Sequence, residues 1–106
     1  MALRLQGYGP QLYTDGEQAL EAMLAEPCAA AVLDLRLPKI DGLTICQRVR
    51  TSMPTSALPI ILLLMREDAA FLRARGQDLQ VNSVLYMPFN VRELLAAVAA
   101  AVALDP

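Results

Sequence analysis

Histidine and tryptophan are absent from this 106-residue chain, and its aromatic residues are only three tyrosines and two phenylalanines. Without histidine, Ser-His and Cys-His nucleophilic catalysis and the commonest zinc sites are excluded within one chain. The two cysteines, Cys28 and Cys46, stand in no metal-ligand spacing and read as reduced, small, buried residues. Long runs are missing too. Charges or prolines interrupt every apolar stretch before the ~20 residues of a membrane span, and 94–104 is the nearest approach. The nine basic and eleven acidic residues give a net charge of -2 and are interspersed, which argues against binding nucleic acid or an anionic membrane through a basic face. Met1-Ala2-Leu3-Arg4 lacks the charged and apolar regions of a signal peptide, so a cytoplasmic location is expected. Glycine-rich phosphate loops are also lacking, which leaves a nucleotide-binding reading without support.

What the chain has in excess is apolar residues. They make up 56% of it, with a mean hydropathy of +0.39, against about 45–50% in typical globular domains. That excess must be buried internally or against a partner, and the length allows a single domain spanning 1–106. Helical and short apolar segments alternate between Pro, Gly and Asp breaks, the pattern of a parallel α/β sheet.

Thr14-Asp15-Gly16-Glu17 pairs an N-cap oxygen with an acidic residue three positions on, opening a helix to about Glu26. Ala29 to Leu33 is a continuous apolar run suited to a strand covered on both faces, and it ends at Asp34. Pro38 and Asp41-Gly42 make a turn-rich loop before a helix over Leu43–Arg50. Ile60 to Leu64 is the clearest buried strand, followed by a polar helical segment from Glu67 to Arg75 and a third strand over Val81–Tyr86. Asn90-Val91-Arg92-Glu93 is a capping box flanked by Phe89 and Leu94 at staple positions, and the last helix runs to about Ala103. At the start, Ala2–Leu5 reads as a helix end, Gly7–Pro10 as a turn and Gln11–Tyr13 as a short strand.

Leu33-Asp34-Leu35-Arg36-Leu37-Pro38-Lys39-Ile40-Asp41-Gly42-Leu43 closely resembles the signature of bacterial response-regulator receiver domains, in which a strand ends in the phosphoacceptor aspartate. Asp15 to Leu20, Pro59 to Leu63, and Pro88-Phe89 with Arg92 to Leu95 fall into register with the same family. The resemblance implies a flavodoxin-like three-layer α/β sandwich with a parallel sheet and Asp34 as phosphoacceptor. It also implies a Mg²⁺ held by an acidic pair, the phosphoacceptor and the backbone carbonyl of Arg36. A histidine kinase or another signalling protein would be the partner, and the domain is expected to be no enzyme.

Residue by residue, most of that machinery has no counterpart. The family's first strand, its acidic pair and most of its first helix are missing, because Ala2 to Tyr8 resembles the end of that helix and the following turn. Leu64 stands where a Thr or Ser hydroxyl is expected, Met87 replaces the lysine before Pro88, and Val84 takes the position of the switch aromatic. Asp34 is left as the lone metal-ligand candidate, and one carboxylate holds Mg²⁺ poorly. Asp41-Gly42 is expected to serve as turn and helix entry, and the Met87–Pro88 peptide to be cis as in the family. Leu64 and Met87 fit either accidental loss or a selected apolar patch that locks one conformation.

In this family the missing strand lies at the sheet's centre, so its loss would orphan backbone groups at about 1–3 kcal/mol each. The second strand closing on the third, a partner chain, or a natural start further upstream would each resolve this, and a rearranged sheet or homodimer is favoured. The functional expectation is an atypical pseudo-receiver in phosphorelay signalling. It would act as a protein-interaction module without cofactor, with phosphorylation at Asp34 absent or inefficient. The alternative is a conventional phosphoacceptor seen as a truncated chain. Because Asp105-Pro106 follows soon after the last helix, no output domain is expected.

Overall fold

The computed structural model describes residues 2–6, 9–26, 29–52, 58–75, 81 and 83–103. In chain order these form β1 (Ala2–Gln6), β2 (Gly9–Tyr13), α1 (Gly16–Ala25), β3 (Ala30–Asp34), α2 (Gly42–Thr51) and β4 (Ile60–Met65). A 3-10 turn (Arg66–Asp68), α3 (Ala69–Arg75), β5 (Ser83–Met87) and α4 (Val91–Ala103) follow. The strands make one sheet in the order β2-β1-β3-β4-β5.

The parallel core forms where the apolar runs predict it. β3 pairs with β4 from Ala31–Ile60 to Asp34–Leu63, and β4 pairs with β5 from Ile61–Ser83 to Met65–Met87, both in parallel. Every residue from Ile60 to Leu64 is at most 1% exposed, as a continuous apolar run needs when helices cover both sheet faces. Alternate residues then divide between two cores. Ala31, Leu33, Ile60, Leu62 and Leu64 pack with Ala19, Leu20 and Met23 of α1 and Ile45, Cys46 and Val49 of α2. Val32, Ile61 and Leu63 face the other way, against Leu94, Ala97, Val98 and Ala101 of α4 and Phe89 just before it. The expected three-layer α/β architecture is present.

β1 departs from the sequence reading. It is a strand and not a helix end, antiparallel to β2 (Ala2–Tyr13 to Gln6–Gly9) and to β3 (Ala2–Leu33 to Leu5–Ala30). An extended segment beside β3 pairs backbone groups that would otherwise be orphaned. The second strand does not close on the third as expected: β1 lies between them. β2, β3, β4 and β5 all run one way, and β1 runs against them between β2 and β3. Pro10 falls in β2, at the sheet edge where a missing N–H is tolerated. The turn expected over Gly7–Pro10 lies partly outside the described residues, and Cys28 lies outside them.

Three smaller differences concern element ends. Asp15, not Thr14, caps α1, its Oδ1 accepting from the Gln18 N–H at 2.8 Å. The third parallel strand runs Ser83–Met87 instead of Val81–Tyr86. The segment after β4 opens as a 3-10 turn before becoming α3. Asn90 accepts from the Glu93 N–H at 2.8 Å at the start of α4. Cys46 is a free, buried cysteine whose thiol is pushed up to about 12, chiefly by burial, so it is chemically quiet.

Candidate functional site

The carboxyl ends of the parallel strands define one edge of the sheet, the position from which such folds reach their ligands. Asp34 ends β3 there, half-buried and in register with Leu63 of β4. The next residue of β4, Leu64, is 1% exposed and part of the apolar core between the sheet, α1 and α2. Met87 ends β5, half-buried and in register with Met65, and the Met87–Pro88 peptide is cis. Val84 is half-buried against the same core as Leu64. Asp34, Leu64 and Met87 therefore lie at one edge of three neighbouring strands, whereas Val84 sits lower in β5.

At the place where the family's first strand would end in acidic residues, the reversed β1 brings its amino end, with Ala2 between Tyr13 and Leu33 in register. No group of three His, Cys, Asp or Glu residues comes together as a metal site among the described residues. Among the described residues, Asp34 is the carboxylate that ends a strand at this edge, and Mg²⁺ relies on one or two carboxylates with waters in near-ideal octahedral geometry.

The loop after Asp34 is held from both sides. The Leu35 N–H donates to the Leu63 carbonyl at 2.8 Å, and the Gly42 N–H donates back to the Leu35 carbonyl at 2.9 Å, closing the loop. Gly42 permits that closure, since a Cβ there would lie 2.6 Å from the Asp34 carbonyl oxygen. Asp41 caps α2 by accepting from the Thr44 N–H at 2.8 Å. The exposed Pro38 offers its carbonyl to the Gly16 N–H at 3.0 Å, and Gly16 is needed because a Cβ would strike the Ile40 carbonyl. Lys39 reaches a positive φ of 70° and places its ammonium 3.8 Å from Asp15. One flank of the loop is thereby fixed to the start of α1.

The other flank carries a contact that the sequence reading did not identify. The Arg36 guanidinium donates to Asp68 Oδ1 at 2.5 Å, and Asp68 Oδ2 accepts from the Met65 N–H at 3.1 Å. Asp68 is 5% exposed, whereas the sequence placed it on a solvated helix. The hydrogen bond from Arg36 is the main cause holding the Asp68 carboxyl below its usual range, against the opposing effect of burial. The same bond raises Arg36. A cleft of about 420 Å³ lies around the pair, lined by Leu35, Arg36, Asp41, Glu67, Asp68 and Phe71. An Asp three residues after a strand end is a turn-capping signal that was available. Its partner 32 residues away was not.

Residues 1–99 match the response regulator receiver domain family. The response regulator MprA of Mycobacterium leprae (strain TN) is 36% identical over 99 residues, covering 93% of this chain and 42% of that protein, so the chain spans less than half of this relative's length. Among solved structures, the receiver domain of the sensor histidine kinase PA1611 from Pseudomonas aeruginosa PAO1 superposes with a TM-score of 0.77 at 26% identity. It covers 88% of this chain and 75% of that one, and holds a magnesium ion in its active-site cleft. The REC domain of AraT, a response regulator from Geobacillus stearothermophilus, gives 0.72 at 28% identity over 84% of this chain and 67% of that one. With a family match running from the first strand into the last helix, and with Asp34 at the end of β3 where that family carries its phosphoacceptor, the chain belongs to the response-regulator receiver domains of two-component signalling.

Proposed function

We propose that residues 1–106 act as one pseudo-receiver domain, a noncatalytic interaction module in phosphorelay signalling whose output does not depend on efficient phosphorylation of Asp34. The observation that carries this reading is the burial of Leu64 in the apolar core, one residue past the β4 partner of Asp34. A phosphoryl group on Asp34 would meet no hydroxyl from β4, and Met87 offers no ammonium from β5. Phosphoryl transfer works by positioning and charge stabilisation, so losing the cation and the hydroxyl together removes much of the catalytic contribution. Asp34 then remains as an inherited carboxylate at the end of β3. Transfer to it is slow or absent, and no cofactor takes part.

The partner in this reading is a histidine kinase or another signalling protein, with a second copy of the chain as a further associate. The 56% apolar content supports self-association, as do the exposed Phe71, Tyr86, Val91 and Leu95 on α3, β5 and α4. A sedimentation profile that stays monomeric at rising concentration would argue against a homodimer. The functional reading is tested by intact mass of the purified chain after acetyl phosphate and Mg²⁺, with Asp34→Asn as control. The expected result is little or no phosphoryl adduct in either protein. A stoichiometric adduct absent from the control would make the chain a working phosphoacceptor instead.

A further inference from the structure

We propose that Arg36 and Asp68 form a phosphate-independent latch, which ties the turn after β4 to the loop after β3 and presents the start of α3 in one constant form. The inference rests on the pseudo-receiver reading, because it gives that domain a way to fix its surface without chemistry at Asp34.

Four observations converge on it. Asp68 is the buried charged residue of the described core, and a carboxylate is seldom buried unless it is paired. Both of its oxygens are engaged: Oδ2 takes the Met65 N–H and shapes its own turn, while Oδ1 takes Arg36 from across the cleft. One side chain thus joins two connections that are 32 residues apart in sequence. The loop that supplies Arg36 is itself anchored, by Gly16 to Pro38, by Lys39 to Asp15 and by Gly42 to Leu35, so the latch is fastened to a fixed frame. Finally, Leu64 gives a phosphoryl group no polar handle on this connection, so the cross-link between the two connections is ionic. The element it steadies carries Phe71, 46% exposed, an apolar group that a partner would meet.

Backbone hydrogen exchange at neutral pH, with neither phosphodonor nor Mg²⁺, tests the latch. Arg36→Gln removes the cation and leaves Asp68 free to cap the Met65 N–H, and Arg36→Lys keeps a cation at the same place. The latch predicts exchange over residues 66–75 roughly three- to tenfold faster in Arg36→Gln, unchanged exchange in β4 and α4, and partial recovery in Arg36→Lys. Exchange over that segment equal to wild type, or a rise spread evenly through the chain, overturns it. A stoichiometric acetyl phosphate adduct would sink the pseudo-receiver reading while leaving this exchange result standing, so the two failures are distinguishable.

Discussion

Asp68 shows how one side chain can hold a site edge that its neighbours no longer hold chemically. Its carboxyl is depressed first by the Arg36 hydrogen bond and then by the Met65 N–H. The stability this contributes is therefore present above the unfolded carboxyl value of about 3.9 and is lost as pH falls through the lower folded value. Arg36 is raised by the same bond, so its share is fully present below the ordinary guanidinium value and stays so throughout the neutral range. The two windows overlap across neutral pH. Thermal melts of wild type and Asp68→Asn should accordingly be separated by a constant gap from about pH 6 to pH 9, with the gap closing below about pH 4. A gap that changes between pH 6 and 9 would mean that another titrating group controls this edge.

Some residues at the site were legible in sequence and some were not, for physical reasons. Asp34, Pro38, Asp41 and Gly42 belong to one short segment whose shape is set locally by a strand end, a turn and a cap, so their order in the chain carries their order in space. Leu64 and Met87 could be placed because each ends or nearly ends a strand in register with its neighbour. The Arg36–Asp68 pair could not, since nothing local to either residue records a contact made across two loops. Arg36 was read for its carbonyl, and its side chain proves to make the longer-range connection.

Among the elements, the helices took their boundaries from caps. α1 shows the limit of pattern reading, because Thr14 and Asp15 both carry a suitable oxygen. The structure uses Asp15, which has extended backbone at φ -130°, ψ 156° and also faces Lys39. Asp15→Ala should cost about 1 kcal/mol of stability, and Thr14→Ala, at an exposed position, less than about 0.5 kcal/mol. Denaturant titration of the two variants checks this, and a larger loss for Thr14→Ala would return the cap to Thr14. The strands β3 and β4 were readable because fully covered strands are continuous apolar runs. β1 was missed although Leu3-Arg4-Leu5-Gln6 alternates apolar and polar, because so short an alternation was outweighed by the resemblance to a helix end. Its state is decided by the open edge of β3, a tertiary demand that outweighs local propensity.

At the level of the whole molecule, the reversed β1 occupies the place between β2 and β3 while β3, β4 and β5 stay parallel neighbours. β1 pairs with β3 without bringing an acidic side chain beside Asp34, and no cluster of three metal-ligating residues forms among the described residues. In the proposed reading the receiver's shape is set by packing and by ionic contacts such as Arg36–Asp68, without a response to a phosphoryl group. The most direct test is the amide proton–nitrogen spectrum of the chain titrated with beryllofluoride and Mg²⁺, beside Asp34→Asn. The account predicts that resonances near Asp34, Leu64, Met87 and along α3 stay where they are. Saturable shifts through α3 and β5, lost in Asp34→Asn, would contradict it and establish a phosphoryl-driven switch.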